Sequence, residues 1–207
     1  MGSRSLRRPR CTDCGLQIEF CMCALISAIP TRTRLALVLH YREARKSTNT
    51  GLLAARCLSN SEVHVRGLTD APADLSGLET PERRTLLLFP REDAVPLTAE
   101  LAAADPRPVT LVVPDGTWGQ ARRAVRREPA LRDAIAVIPP DDGPSRYQLR
   151  HEHDERGLAT AEAIARALAV LEGDHVRRHI EAAFDEKVAR TLETRQPTGP
   201  RPWEQRG

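Results

Sequence analysis

The chain has 207 residues, enough for one domain with an appendage and a real hydrophobic core, and a formal net charge of +3 with 29% charged residues. Aromatic residues make up 3% of it, so that core must rest on Leu, Val, Ile and Ala. No apolar stretch approaches the length of a membrane span, and the arginine-rich start lacks a signal-peptide core; a cytoplasmic protein without a membrane partner is expected.

In chain order, residues 1–30 carry four of the five cysteines and little periodicity. Arg34–His40 (RLALVLH) reads as a buried strand, Asn49–Leu58 as a helix and Glu62–Gly67 as another strand. A loop rich in Asp, Pro and Gly covers Leu68–Arg84. Three apolar strands then end in proline: Thr85–Pro90, Val109–Pro114 and Ala134–Pro139. Between them, Ala94–Ala104 and Thr117–Arg127 read as helices, the latter with Trp118, Ala121 and Val125 on one face. After a polar loop at 140–156, Thr160–Leu171 reads as a helix ending near Gly173. A last helix, capped by Asp174, carries Val176, Ile180, Phe184, Val188 and Leu192 at intervals of four.

Short, continuously apolar strands alternating with helices predict an α/β fold, a parallel-rich sheet with helices on both faces. Its organisation is expected to be a small N-terminal module (1–30), a main domain (31–195) and a loose tail (196–207). Ligands of such sheets collect at the carboxyl ends of the strands. If the three proline-ended strands are adjacent, the loops REDA, DGTW and PDDGPSRYQLR form one rim.

Cys11, Cys14, Cys21 and Cys23 follow the spacing C-x2-C-x6-C-x-C. Two close pairs joined by a short loop can wrap a tetrahedral ion, and four thiolates suit a closed structural zinc site. An iron–sulfur cluster is the alternative, and a reducing compartment argues against disulfides. Cys57 belongs to an apolar helix and reads as core. On the rim, Asp115 and Trp118 have a plain structural reading, a helix cap and a core ring. Gly116 permits close backbone approach to a ligand.

Five motifs in order make the chain resemble the DTW-domain family over Cys11–Leu171: the cysteine-rich start, STNTG (Ser47–Gly51), LLFPREDA (Leu87–Ala94), PDGTW, and YQLR followed by LATAEA. Two positions depart from the pattern, Leu52 where an arginine is expected and Ala159 in LAT. The resemblance implies a SPOUT-like, trefoil-knotted domain. It further implies a tRNA-uridine aminocarboxypropyltransferase that moves the 3-amino-3-carboxypropyl group of S-adenosylmethionine (SAM) to N3 of a uridine. By that analogy Phe89, Pro90, Asp115, Gly116, Thr117, Trp118, Tyr147, Leu149 and Thr160 would hold SAM. Asp115 would be either the base for N3–H or a ligand of the SAM ammonium, and His40 is a second candidate base. Arg42, Arg45, Lys46, Arg91, Arg122, Arg123 and Arg150 would meet tRNA phosphates, with Arg146, the zinc module and the basic N-terminus (Arg4, Arg7, Arg8, Arg10) extending that surface. The competing readings are a SPOUT-type RNA methyltransferase and a non-catalytic, zinc-containing RNA-binding protein.

Overall fold

The computed structural model describes residues 9–68, 70, 73–145 and 158–195. Six strands, β1 (Arg34–His40), β2 (Ser61–Arg66), β3 (Arg84–Leu88), β4 (Val95–Pro96), β5 (Val109–Asp115) and β6 (Ile135–Ile138), form one sheet in the order β2-β1-β5-β3-β6-β4. All five pairings of neighbouring strands are parallel. The helices are α1 (Gly51–Arg56), α2 (Ala99–Ala103), α3 (Trp118–Arg127), α4 (Pro129–Arg132), α5 (Thr160–Glu172) and α6 (Asp174–Arg195).

Side chains alternate across the strands, and the two faces bury two separate apolar clusters. Leu35, Leu37, Leu39, Leu86, Leu88, Leu111, Val113 and Val137 face the side covered by α1, α5 and α6. Ala36, Val38, Leu87, Phe89, Val112 and Ala136 face Ala121, Ala124, Val125 and Leu131 of α3 and α4. Small side chains on this second face admit the two short helices closely. Leu16 and Met22 of the cysteine loop join the first cluster, as does the fully buried Cys57. The loop therefore shares the core of the sheet.

Several details differ from the sequence-based expectation. β5 does not stop at Pro114 but runs through it to Asp115; β3 pairs with β5 only as far as Val112, so the proline sits where the ladder has a single partner, opposite Val38 of β1. The stretch expected to be helical from Ala94 contains β4, and α2 begins at Ala99 behind an N-cap made by Thr98. On α6, Val176, Ile180 and Phe184 are buried as expected, but the next buried positions are Lys187 and Thr191, with Val188 and Leu192 only partly covered. A strict step of four overshoots the 3.6-residue turn, so the buried stripe shifts by one. Among the described residues, no helix is long and apolar enough to cross a membrane.

Candidate active site and metal centre

β5, β3 and β6 are neighbours in the sheet, so the segments after Asp115, Leu88 and Ile138 leave the same edge side by side. The adjacency on which the expected rim depends is therefore present, and β1 adds the segment after His40 to that edge, since Leu39 is in register with Asp115.

Asp115 is buried (7% exposed) and does not cap α3. That role belongs to Thr117, which accepts from Gln120 N while the Gln120 side chain accepts from Thr117 N at 2.8 Å, a reciprocal capping box. Freed from capping, the Asp115 carboxylate accepts from two side chains on different elements. Asn49 Nδ2 donates to Oδ2 at 2.5 Å, and Thr160 Oγ1, at the start of α5, donates to Oδ1 at 2.7 Å. Asn49 is tied down in turn: its Oδ1 accepts from Leu52 N at 2.8 Å, and its main-chain carbonyl accepts from Lys187 Nζ at 2.6 Å. Thr50 Oγ1 accepts from Ala161 N, joining the Ser47–Gly51 segment to α5. Gly51 leaves the space this needs, because a Cβ there would lie 2.7 Å from Asp115 Oδ2 and 3.0 Å from Leu37 Cδ1.

Trp118 opens α3 with 46% of its surface exposed, not in the core with Ala121 and Val125. Its ring lies 6.1 Å from that of Phe89, at 53°, so buried Phe89 forms the wall behind it. Pro90 is exposed beside that wall, and Gly116 is partly buried, where a Cβ would press on Gln120 and His40. His40 lies at the end of β1, with Nδ1 accepting from Arg42 N. Burial and the nearby Arg66 and Arg42 charges lower its pKa, which leaves the ring neutral at physiological pH, with its proton on Nε2. Glu162 accepts from Ala159 N and from Ser145 Oγ, one half of a capping box whose other half Ala159 has no side-chain acceptor to complete. Tyr147, Leu149 and Arg150 lie outside the described residues, as do Arg146, Arg4, Arg7 and Arg8.

The predicted cationic residues divide by environment. Arg42, Arg45, Lys46, Arg122 and Arg123 are exposed. Arg42 lies over the Tyr41 ring and donates to its hydroxyl, and Lys46 pairs with Glu43. The Arg91 guanidinium instead grips Asp93 and the carbonyls of Arg132 and Ala134, bracing the loop after β3.

The four cysteine sulfurs lie within 4.8 Å of one another, with Cys11 and Cys23 3.6 Å apart and Cys14 and Cys21 3.9 Å apart. Four thiolates around one tetrahedral ion at ~2.3 Å are separated by about 3.8 Å, so the donor set fits a single metal ion. Backbone N–H groups of Cys14 and Asp13 lower the Cys11 thiol to about 6, while burial pushes Cys23 up to about 12. Arg56 Nη1 donates to Cys23 Sγ at 3.4 Å, and Arg190 Nη1 holds the carbonyls of Phe20 and Cys21. Asn49, Lys187, Arg56 and Arg190 are the residues that sequence reasoning left without a role.

This is an α/β protein with a carboxylate-centred rim and a cluster of four cysteines that could hold a metal ion. The DTW domain family matches residues 8–192, and the chain belongs to it. It is similar to tRNA-uridine aminocarboxypropyltransferase 2 of Drosophila melanogaster, with 33% identity over 174 residues, 80% of this chain and 68% of that relative. The protein of the same name from Macaca fascicularis shares 30% identity over 80% of this chain, but the match spans 57% of the macaque protein. tRNA-uridine aminocarboxypropyltransferase A of Arabidopsis thaliana shares 29% over 95% of this chain and 86% of its own length. Among solved structures, the SAM-dependent rRNA:acp-transferase Tsr3 from Vulcanisaeta distributa has a similar fold, with a TM-score of 0.50 and 14% identity over 78% of each chain.

Proposed function

We propose that the protein is a cytoplasmic tRNA-uridine aminocarboxypropyltransferase. It transfers the 3-amino-3-carboxypropyl group of SAM to N3 of a tRNA uridine: the N3–C bond forms, the C–S bond breaks, the N3 proton is released and 5'-methylthioadenosine leaves. The names of its relatives support the reaction and the acceptor. The observation in the molecule that carries the reading is the Asp115 carboxylate. It is held at the end of a central strand by Asn49 and Thr160, beside a half-exposed Trp118.

The sulfonium of SAM bears three carbons, so an enzyme selects the group it transfers by orienting one of them in line with the nucleophile. That is chiefly a positioning task. In this reading Trp118, braced by Phe89, is the apolar wall against SAM, and Pro90, Gly116, Thr117 and Thr160 line the same rim. Asp115 acts as a fixed negative charge for the positive part of SAM. A carboxylate whose two oxygens already accept hydrogen bonds is suited to stay an acceptor. This favours the ligand role of Asp115 over the base role. Cys11, Cys14, Cys21 and Cys23 would hold a structural zinc ion that organises residues 1–30, and Arg42, Arg45, Lys46, Arg122 and Arg123 would meet tRNA phosphates.

Incubating the protein with unmodified tRNA and SAM labelled separately in the methyl and carboxyl carbons tests this. Carboxyl label entering the RNA is expected. Methyl label alone would identify a methyltransferase, and tight tRNA binding with no label a binding protein. Asp115→Asn is expected to lose SAM binding along with transfer; retained binding with lost transfer would restore the base role.

A further inference from the structure

Beside the rim lies a cleft of which the proposed function engages only Arg45 and Lys46 with the RNA. It runs between the cysteine loop and residues 44–56, with a volume of about 610 Å³, within the range of small-ligand sites. Its lining carries five cationic side chains: Arg10, Arg45, Lys46, Arg56 and Lys187. Against them stand Asp13, Cys11 and Cys14 in the lining, and Glu43 outside it, which shares Lys46. A divalent ion held by four thiolates would leave two negative charges on the cluster, and the lining still stays positive.

Lys187 shows why the cleft asks for an anion. It is 5% exposed and donates to Asn49 O, the one hydrogen bond its ammonium makes among the described residues. A buried ammonium with donors to spare is costly unless anionic or polar groups complete its shell. Lys187 lines the cleft together with Cys11 and Cys14, so an anion in the open volume could complete its shell. Arg10, whose Nη1 holds Gly15 O, and the exposed Arg45 flank the cleft from its two walls.

We infer that this cleft is a second binding site, which takes backbone phosphates of the acceptor RNA. The assignment rests on the reading that the acceptor is an RNA, and it extends that reading to a surface on the metal-bearing side of the molecule. A polyanion, in preference to a small free anion, follows from the continuity of the cationic surface. Arg42 on the rim and Arg45 in the cleft belong to one short segment, and that segment ends at Asn49. Asn49 lines the cleft with its backbone held by Lys187 and touches Asp115 with its side chain. A strand whose phosphate enters the cleft therefore passes within one residue of the carboxylate around which the reaction is arranged. The metal loop, in this account, is one wall of the RNA site.

The test is fluorescence anisotropy of labelled unmodified tRNA, with the full metal-loaded chain, across a series of salt concentrations. Arg10→Ala and Arg45→Ala are each expected to weaken binding about three- to tenfold and to lower the log–log salt slope by about 0.7–0.9, the double variant by about twice that. Arg45 is exposed, so its variant should keep the melting temperature, metal content and SAM affinity of the wild type; Arg10→Ala also loses the bond to Gly15 O, so its RNA affinity is compared at matched metal content. The paired Arg10→Lys, Arg45→Lys protein should recover most of the slope, because phosphate binding here depends on charge. A double alanine variant with wild-type affinity and slope overturns the cleft assignment and leaves the proposed reaction standing. A wild-type chain that binds no RNA overturns both.

Discussion

Replacing Asn49 tests how the site is held together. Its Nδ2 donates to the buried Asp115 carboxylate at 2.5 Å and its Oδ1 accepts from Leu52 N at 2.8 Å. Asn49→Ala removes a hydrogen bond to a charged group, which contributes about 1.5–3 kcal/mol, and a helix-start contact contributing about 1 kcal/mol. Thr160 still donates to Asp115, and the Lys187 bond to the backbone carbonyl of residue 49 is untouched. The expected loss is about 2–4 kcal/mol, a melting shift of roughly 5–15 °C for a chain of this size. Asn49→Asp is nearly isosteric but sets a second carboxylate against the first. Folding then raises the proton affinity of the pair, so the variant's deficit should be small below the ordinary carboxylate pKa of ~4, grow as the pH rises above it, and level off once the pair gives up its shared proton. Urea melts of both variants at several pH values measure this. The reasoning fails if Asn49→Ala stays within about 0.5 kcal/mol of the wild type, or if the Asn49→Asp deficit does not change with pH.

Other outcomes follow from the same geometry. Gly51→Ala drives a methyl group into Asp115 Oδ2 and Leu37 and should cost about 1–3 kcal/mol, with transfer lost in a protein that still folds; a neutral effect on melting would contradict the packing described. Trp118→Ala should leave stability within about 1 kcal/mol, because the ring is half-exposed, yet weaken SAM binding about tenfold or more in calorimetry. Atomic emission should find one zinc ion per chain, and chelation or Cys14→Ser should lower the melting temperature, since the cysteine loop shares its core with α1 and α6. Iron in its place, or a metal-free protein of unchanged stability, would remove the zinc assignment.

Much of the scaffold was legible because hydrophobic continuity marks buried parallel strands, and β5, β3 and β6 stood out by it. Their adjacency, and so the rim, followed from a conditional argument that the sheet order satisfies. The cysteine spacing was enough to expect a metal centre, because short loops fix which sulfurs can meet. β4 escaped notice: a two-residue edge strand containing proline has no periodic signal. Asp115 was read as a possible cap because an acidic residue before a helix usually is one, whereas Thr117 caps and leaves the carboxylate free for Asn49 and Thr160. Lys187 was hidden by a step-of-four reading of α6. A 3.6-residue period places a buried position three after Phe184, and that signal was present in the sequence. The contacts of Asn49 were not legible, since they join segments 66 and 138 residues apart.

The central claim is the identity of the transferred group, and nucleoside analysis by mass spectrometry tests it most directly. Unmodified tRNA is incubated with the protein and SAM, digested, and its nucleosides and the small-molecule product are identified. The account predicts uridine carrying a 3-amino-3-carboxypropyl group at N3, matched mole for mole by 5'-methylthioadenosine, and neither product with Asp115→Asn. A methylated nucleoside accompanied by S-adenosylhomocysteine would contradict it.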